Sequence, residues 1–286
     1  MLEVPRIPLG DRVERAVEWL TDNFGPLFDL IDNVIGALIE GLEDLLAWPP
    51  PFLLAIIFAV LAWRIRSLGF GVFTLAAFSV IEGMRLWDDA LLTLSLVLVS
   101  SLIAVAIGIP AGIAAGRSTT VGSILRPGLD FMQTMPAFVY LIPAIIFFGI
   151  GKVPGAVATI VFAMPPAVRL TELGIRQVDR EVVEAGHAFG SAPMQILTRI
   201  QVPLAMPTIM AGINQVIMLA LSMVVIAGIV GAGGLGAVVF RGITRLNIGL
   251  GFEGGLAVVI LAIFLDRLTG AIGDKSSARV AAAATK

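Results

Sequence analysis

Residues 184–203 read EAGHAFGSAPMQILTRIQVP, a polar interruption between two long apolar stretches. Its internal spacing is regular: Glu184-Ala185-Gly186, three residues, Gly190, nine residues, then Ile200-Gln201-Val202-Pro203. Local rules predict a short helix through Glu184 and Ala185, a close turn at Gly190 and a new helical turn starting at Pro193. Pro203 then marks entry into the next apolar segment.

On both sides of this island the chain reads as membrane protein. Hydrophobic residues make up 58% of the 286 and charged residues only 14%, against about 25% charged in an ordinary soluble domain. Mean hydropathy is +0.98. A bilayer core about 30 Å thick needs roughly 20 residues of helix, and the apolar segments are 52–63, 68–84, 90–115, 131–150, 153–172, 205–230 and 252–272. The first two form one continuous span only if Arg64 and Arg66 sit near its middle, each at a cost of about 2.5–3.5 kcal/mol. Two short helices turning at Arg64-Ile65-Arg66 avoid that cost. The fold expected is therefore an all-α polytopic membrane protein with about seven transmembrane helices.

Residues 1–50 differ from the rest. Val13, Val17, Leu20, Phe24, Leu27, Ile31, Val34, Leu38, Leu42 and Leu45 recur at three- and four-residue steps, and acidic residues occupy the opposite face. This is an amphipathic helix pattern, broken at Gly25-Pro26. Two readings stand: a helix at the membrane interface or against the bundle, or a solvated acidic arm. The start, MLEVPRIPLG, lacks the basic-then-apolar order of a cleavable signal peptide, and the tail after Asp274 reads as small, polar and disordered.

Composition also excludes functions. A net charge of -2 offers no basic field for nucleic acid, zero Cys removes thiolate chemistry, and a single His argues against a metal cluster. No catalytic constellation is visible. The Gly-rich run at 228–236 is not a phosphate loop, because no Lys-Ser or Lys-Thr follows it. Its glycines Gly231, Gly233, Gly234 and Gly236 suit either a tightly packed helix exit or part of an outer gate. Seven spans place the amino terminus outside and the carboxyl terminus in the cytosol of a cell membrane. Arg64, Arg66, Arg117, Arg126, Arg169, Arg176, Arg180 and Arg199 then fall on inner connections, consistent with the positive-inside rule.

The spacing within 184–203 resembles the EAA loop of ABC importer permeases. The likeness extends over residues 87–266, through IGIPAGIAAGRS (107–118), LRPGLDFMQTMPAFVYLIPAIIFFGIGKVPG (125–155), FAMPPAVRLTELGIRQV (162–178), PTIMAGINQVIMLALSMVVIAGIVGAGGLG (207–236) and LAVVILAIFLDR (256–267). These runs are similar to the glycine betaine/proline betaine branch of the type I importer permeases. The resemblance implies a permease core of five helices within 87–272; the residues themselves place two short accessory helices before it at 51–86 and a polar tail after it at 273–286. The resemblance also implies a homodimer, cytosolic ABC ATPase subunits that bind ATP and Mg, and an extracytoplasmic substrate-binding protein, with no cofactor on this chain. The loop at 173–204 is implied as the ATPase-coupling element, through Glu184, Ala185, Gly186, Gly190, Ile200 and Pro203.

Costly intramembrane polar groups point to a translocation path. The candidates are Gln133, Tyr140, Asn214, Met218 and Ser222, with Thr134 and Gln215 beside them; Asn214, Met218 and Ser222 share a helix face at four-residue steps. Interhelical hydrogen bonding by Asn214 and Ser222 is the competing reading. A quaternary ammonium is held by aromatic faces, yet Trp19, Trp48, Trp63 and Trp87 fall at segment ends, as interfacial anchors do. Tight substrate selection is therefore expected on the binding protein. Import of another small zwitterion or an amino acid such as methionine is the alternative, and ion-coupled secondary transport a further one. Glu82, Glu172, Glu253 and Asp266, near predicted span ends, speak against the last.

Overall fold

The computed structural model describes residues 8–284, with side chains described for residue 8 and for 10–273. No strand occurs among the described residues. The helices are α1 (Leu9–Ala47), α2 (Pro51–Ile65), α3 (Leu68–Gly83), α4 (Trp87–Arg117), α5 (Thr119–Thr134), α6 (Leu141–Phe148), α7 (Lys152–Arg176), α8 (Arg180–Ala188), α9 (Pro193–Ile196), α10 (Val202–Ala227), α11 (Gly234–Thr244) and α12 (Ile248–Ala284). Among the described residues four stretches are long and apolar enough to cross a membrane: α4, α7, the run Pro193–Val230 and Ile248–Gly273. Two bent pairs raise the number to six.

At the centre lies α7, flanked by α4 and α10, its two most extensive partners. Sequence explains the close approach. Gly108, Gly112 and Gly116 recur every fourth residue on α4 and present bare backbone to α7. A Cβ at Gly108 would stand 2.6 Å from the Ala167 Cβ, one at Gly112 2.5 Å from the Val168 carbonyl oxygen, and one at Gly116 2.9 Å from the Ile175 Cβ. On the other side, Gly174 of α7 meets Ala205 and Thr208 of α10, and Gly212 of α10 meets Leu170. In lipid, where helices gain little from hiding apolar surface from each other, dispersion across such small-residue seams drives association.

The α2–α3 hairpin turns at Arg66 as expected, with the Ser67 hydroxyl accepting from the Phe70 amide at 3.3 Å. An aromatic cluster fastens it to the bundle: Phe58, Phe78 and Phe264 pack with centroids 5.0–5.3 Å apart, and Trp87 meets Phe78 edge-on at 6.1 Å. Trp87 is therefore a buried packing residue, not the interfacial anchor its segment-end position suggests.

Three further expectations are revised or decided. The apolar run 131–150 is not one helix: the chain bends by 110° between α5 and the following helical segment. Met135 is extended (ψ 134°) because the ring of Pro136 disfavours helical backbone at the residue before it. The amphipathic segment is not a free arm. It kinks at Phe24, just before Gly25-Pro26, and its second half packs on α4, α6 and α7. There Ile39 is fully buried, Phe28 stacks on Phe147 at 4.5 Å, and Glu43 pairs with Lys152 at 2.7 Å. Finally, α12 continues as helix to Ala284 where a disordered tail is expected, because its alanine-rich end has strong helix propensity.

Replacing Gly112 by Ala should destabilise the protein by about 1–3 kcal/mol through overpacking. Gly255→Ala, where a Cβ meets open space, should be neutral or stabilising by up to about 1 kcal/mol. Thermal unfolding of the two variants in detergent checks the contrast.

Candidate functional site

The polar island folds into a compact bracket between α7 and α10. Asp179 caps α8 by accepting from the Glu181 amide at 3.0 Å. The helix ends with the Gly190 amide on the His187 carbonyl at 2.9 Å and the Ser191 amide on the Gly186 carbonyl at 3.1 Å. Gly190 has φ +75°, a left-handed conformation that glycine adopts without a Cβ penalty. Pro193 opens α9, where the Gln195 side chain accepts from the Ala192 amide at 3.0 Å. A π-helical turn, Leu197–Gln201, then runs into α10 with Pro203 in its first turn.

Packing accounts for the spacing of the motif. A Cβ on Gly186 would stand 3.0 Å from the Ile200 Cδ1 and 3.3 Å from the Ile196 Cγ1. Gly186 is therefore the notch that receives both isoleucines, and it joins α8 to the root of α10. Glu184, Ala185 and His187 face outward. So do Phe189, 90% exposed, and Met194, 63% exposed. Sequence reading passed over these two, because lone apolar residues in a polar island carry no periodic signal. An apolar tip held on a braced bracket is suited to docking against another protein.

Behind the bracket lies an ionic knot. Glu172 is buried; its carboxylate accepts from Arg126 of α5 at 2.8 Å and from Arg176 at 3.0 Å. Arg176 also donates to the Ala115 carbonyl of α4 at 2.9 Å. Three helices are thus tied together at the end of α7 that carries the bracket. Glu172 reads in sequence only as a span-end acid: its i,i+4 partner Arg176 is a local pair, but Arg126, 46 positions away, leaves no local trace. Asp130 and Arg169 form a second, more exposed pair between α5 and α7.

The path candidates separate. Tyr140 is buried, donates its hydroxyl to the Met132 carbonyl and meets Phe162 edge-on at 5.9 Å. It packs instead of lining an open surface, and Gln133 and Thr134 are exposed. Asn214 turns to α12: its Nδ2 donates to the Asp266 carboxylate at 2.9 Å, and its Oδ1 accepts from the Thr269 hydroxyl at 2.7 Å. The competing reading, interhelical bonding, describes Asn214. Met218 and Ser222 remain exposed on α10, and the residues sharing their stripe are Ala211 and Gln215. The Ser222 hydroxyl is bonded within its own helix to the Met218 carbonyl at 3.0 Å.

The glycine run is a packed turn. Gly231, Gly233 and Gly234 have φ between +64° and +87°, and Gly228 lies against Gly236 with no room for a side chain between them. The Thr93 hydroxyl of α4 accepts from the Leu235 amide at 2.8 Å. Among the described residues no group of three or more His, Cys, Asp or Glu is placed to hold a metal.

A helical bundle with membrane-length spans and a braced polar bracket between two of them belongs to the class of multi-pass transport permeases. Residues 108–279 match the family described as "Binding-protein-dependent transport system inner membrane component", and the chain belongs to that family of inner-membrane, non-ATPase subunits. It is 53% identical over 279 residues to the glycine betaine transport system permease protein OpuAB of Bacillus subtilis, covering 98% of this chain and 99% of that one. With the glycine betaine/proline betaine permease ProW of Escherichia coli it shares 49% identity over 273 residues, 96% of this chain and 77% of the relative. With the glycine betaine/carnitine permease GbuB of Listeria monocytogenes it shares 49% over 280 residues, 96% and 99%. Among solved structures, an inward-facing MetNI methionine ABC transporter chain matches with TM-score 0.60 at 23% identity, over 67% of this chain and 95% of that one. That likeness concerns the fold alone.

Glu172→Gln should lower stability by about 1.5–3 kcal/mol, the scale of hydrogen bonds to a charged group. Asp130→Asn, on the exposed pair, should cost less than about 1 kcal/mol. Denaturation midpoints of both variants, at low and high salt, check the ranking.

Proposed function

We propose that this chain is the permease of an ATP-driven importer for glycine betaine, proline betaine or a related quaternary ammonium solute. It works as a homodimer, with two ATPase subunits that bind ATP and Mg in the cytosol and a separate binding protein outside. The near full-length relatives named for glycine betaine support the substrate class.

The observation that carries the coupling role is the exposed tip, Phe189 and Met194, on a bracket whose Gly186–Ile200 contact continues into α10. A push on that tip reaches α10 through the isoleucines and α4, α5 and α7 through Glu172. Glu184, Ala185, Gly190 and Pro203 set the shape of the lever; Gly190 provides its turn and Pro203 its junction with the span.

Support for a dimer comes from α10. Although α4, α7 and α12 pack around this helix, it leaves Ala211, Gln215, Met218 and Ser222 uncovered within one chain. Polar groups in such a stripe are costly against lipid and suit a water-filled path or a second copy. Met218 and Ser222, with Gln215, are our path residues, and Gln133 is a candidate at the end of α5. The turn at Gly231, Gly233, Gly234 and Gly236 lies at the end of α10 remote from the bracket, where an outer gate would sit. With the bracket in the cytosol, the amino terminus is outside and the carboxyl terminus inside. Solute selection belongs to the binding protein, since Tyr140 and Trp87 are committed to packing.

Uptake of labelled glycine betaine and methionine into vesicles holding permease, ATPase and binding protein tests the reading. Betaine should accumulate with ATP and methionine should not; methionine uptake without betaine uptake would reverse the substrate assignment. Phe189→Glu should reduce uptake and ATPase co-purification at least about tenfold, the scale of losing an interface anchor. Its thermal stability should stay unchanged.

A further inference from the structure

The α2–α3 turn and α12 flank an open cavity of about 390 Å³, apart from the bracket and the α10 stripe, lined by Arg66, Ser67, Phe70, Phe73, Ile263 and Arg267. We infer that it holds the headgroup of an anionic phospholipid, with the phosphate between Arg66 and Arg267 and an acyl chain along Phe73 and Ile263. The inference requires only that the hairpin faces lipid, and does not depend on the transported solute.

Charge is the first ground. Neither Arg66 nor Arg267 has an ion pair or side-chain hydrogen bond among the described residues, whereas Arg126, Arg169, Arg176 and Arg241 each have an acidic partner. The acid adjoining Arg267 in sequence, Asp266, is engaged by Asn214. Two guanidiniums on one cavity therefore lack a counter-charge, and a guanidinium fork matches phosphate oxygens bidentately. The Ser67 oxygen accepts from the Phe70 amide, which leaves its proton available to a phosphate oxygen.

Position is the second. The apolar stretch of α2 ends at Arg64-Ile65-Arg66, and on α12 Asp266-Arg267 fall within the last third of the span Ile248–Gly273, so the cavity lies toward the same end of both helices, within reach of a headgroup for a long arginine side chain. It is on the same side as the coupling bracket. The Glu43–Lys152 pair puts the end of α1 at the start of α7, remote from the bracket, and α2 then runs back toward the bracket's side. In α12, Asp266 lies level with Asn214 and Gly273 level with Met210, so it descends antiparallel to α10 toward the same side.

Surface is the third. The hairpin exposes Phe52, Ile56, Val60, Trp63, Leu68 and Val72, a surface suited only to hydrocarbon. A lipid seated there meets apolar side chains with its chains and arginines with its head, and no other class of ligand needs both.

Native mass spectrometry of the purified chain with phosphatidylglycerol or phosphatidylcholine provides the test. Wild type should retain phosphatidylglycerol in preference to phosphatidylcholine. Retention should fall about fivefold for R66Q or R267Q alone and about 30-fold for the pair, since each basic residue near an anionic headgroup contributes independently. R66K/R267K, which keeps both charges but loses the bidentate fork, should bind less than wild type and more than R66Q/R267Q. Arg117→Gln, at an exposed arginine at the end of α4 that does not line the cavity, should change nothing, and millimolar inorganic phosphate should not displace the lipid. Wild-type retention by both R66Q and R267Q, or a fivefold loss in R117Q as well, would overturn the site. Displacement by inorganic phosphate would overturn the lipid in favour of a free-phosphate site. Circular dichroism of each variant separates lost binding from lost folding, and the single variants suffice if the double one does not fold.

Discussion

The close approach of α4 to α7 across Gly108, Gly112 and Gly116 is the constraint on which the other contacts depend. With a Cβ at Gly112 placed 2.5 Å from the Val168 carbonyl oxygen, the two backbones lie nearer than any side chain permits. Such proximity lets many weak dispersion contacts accumulate in a solvent that offers helices no hydrophobic drive. It also fixes register. Arg176 reaches the Ala115 carbonyl only because the seam places those turns side by side, and Glu172 meets Arg126 on the same account.

From that seam the bundle acts as a stiff rib with the bracket at one end. α8 and α9 add almost no buried surface of their own, yet they are held at three points: the Asp179 cap, the Gly190 turn and the Gly186 notch filled by Ile196 and Ile200. A lever needs this combination of small size and rigid mounting. The far end is equally close-packed, where Gly228 lies on Gly236 and Thr93 holds the Leu235 amide. Between the two ends α10 keeps one face uncovered, and that face carries Gln215, Met218 and Ser222. A rib clamped on one side and open on the other leaves the face that the proposed homodimer requires.

Much of this was legible in the residues. The 184–203 spacing gave the helix, the left-handed turn and the next helix start, because Asp, Gly and Pro act through local backbone rules. Arg64 and Arg66 located the hairpin turn through the energetic cost of charge in hydrocarbon. The bend at Met135-Pro136 was hidden inside an apolar run, since hydropathy averages over a backbone restriction that a single proline imposes. For Trp87, Tyr140 and Asn214 the reason is different: sequence put each within or at the end of an apolar segment, but what covers a side chain depends on helices distant in sequence. The Glu172 knot and the Phe58–Phe78–Phe264 cluster are likewise products of tertiary contact. The family resemblance identified the class of protein without specifying any of these contacts.

Because the chain contains no cysteine, one introduced thiol is the sole label site on the permease, which is resolved from its partners by gel. The most direct measurement is the labelling rate of Met218→Cys, in the open stripe of α10, with permease, ATPase and binding protein assembled in vesicles. Trapping the ATPase in its ATP-bound state should change that rate at least about tenfold, and Phe189→Glu at the bracket should abolish the change. An unaltered rate on ATP binding, in vesicles that still accumulate solute, would contradict transmission from bracket to stripe.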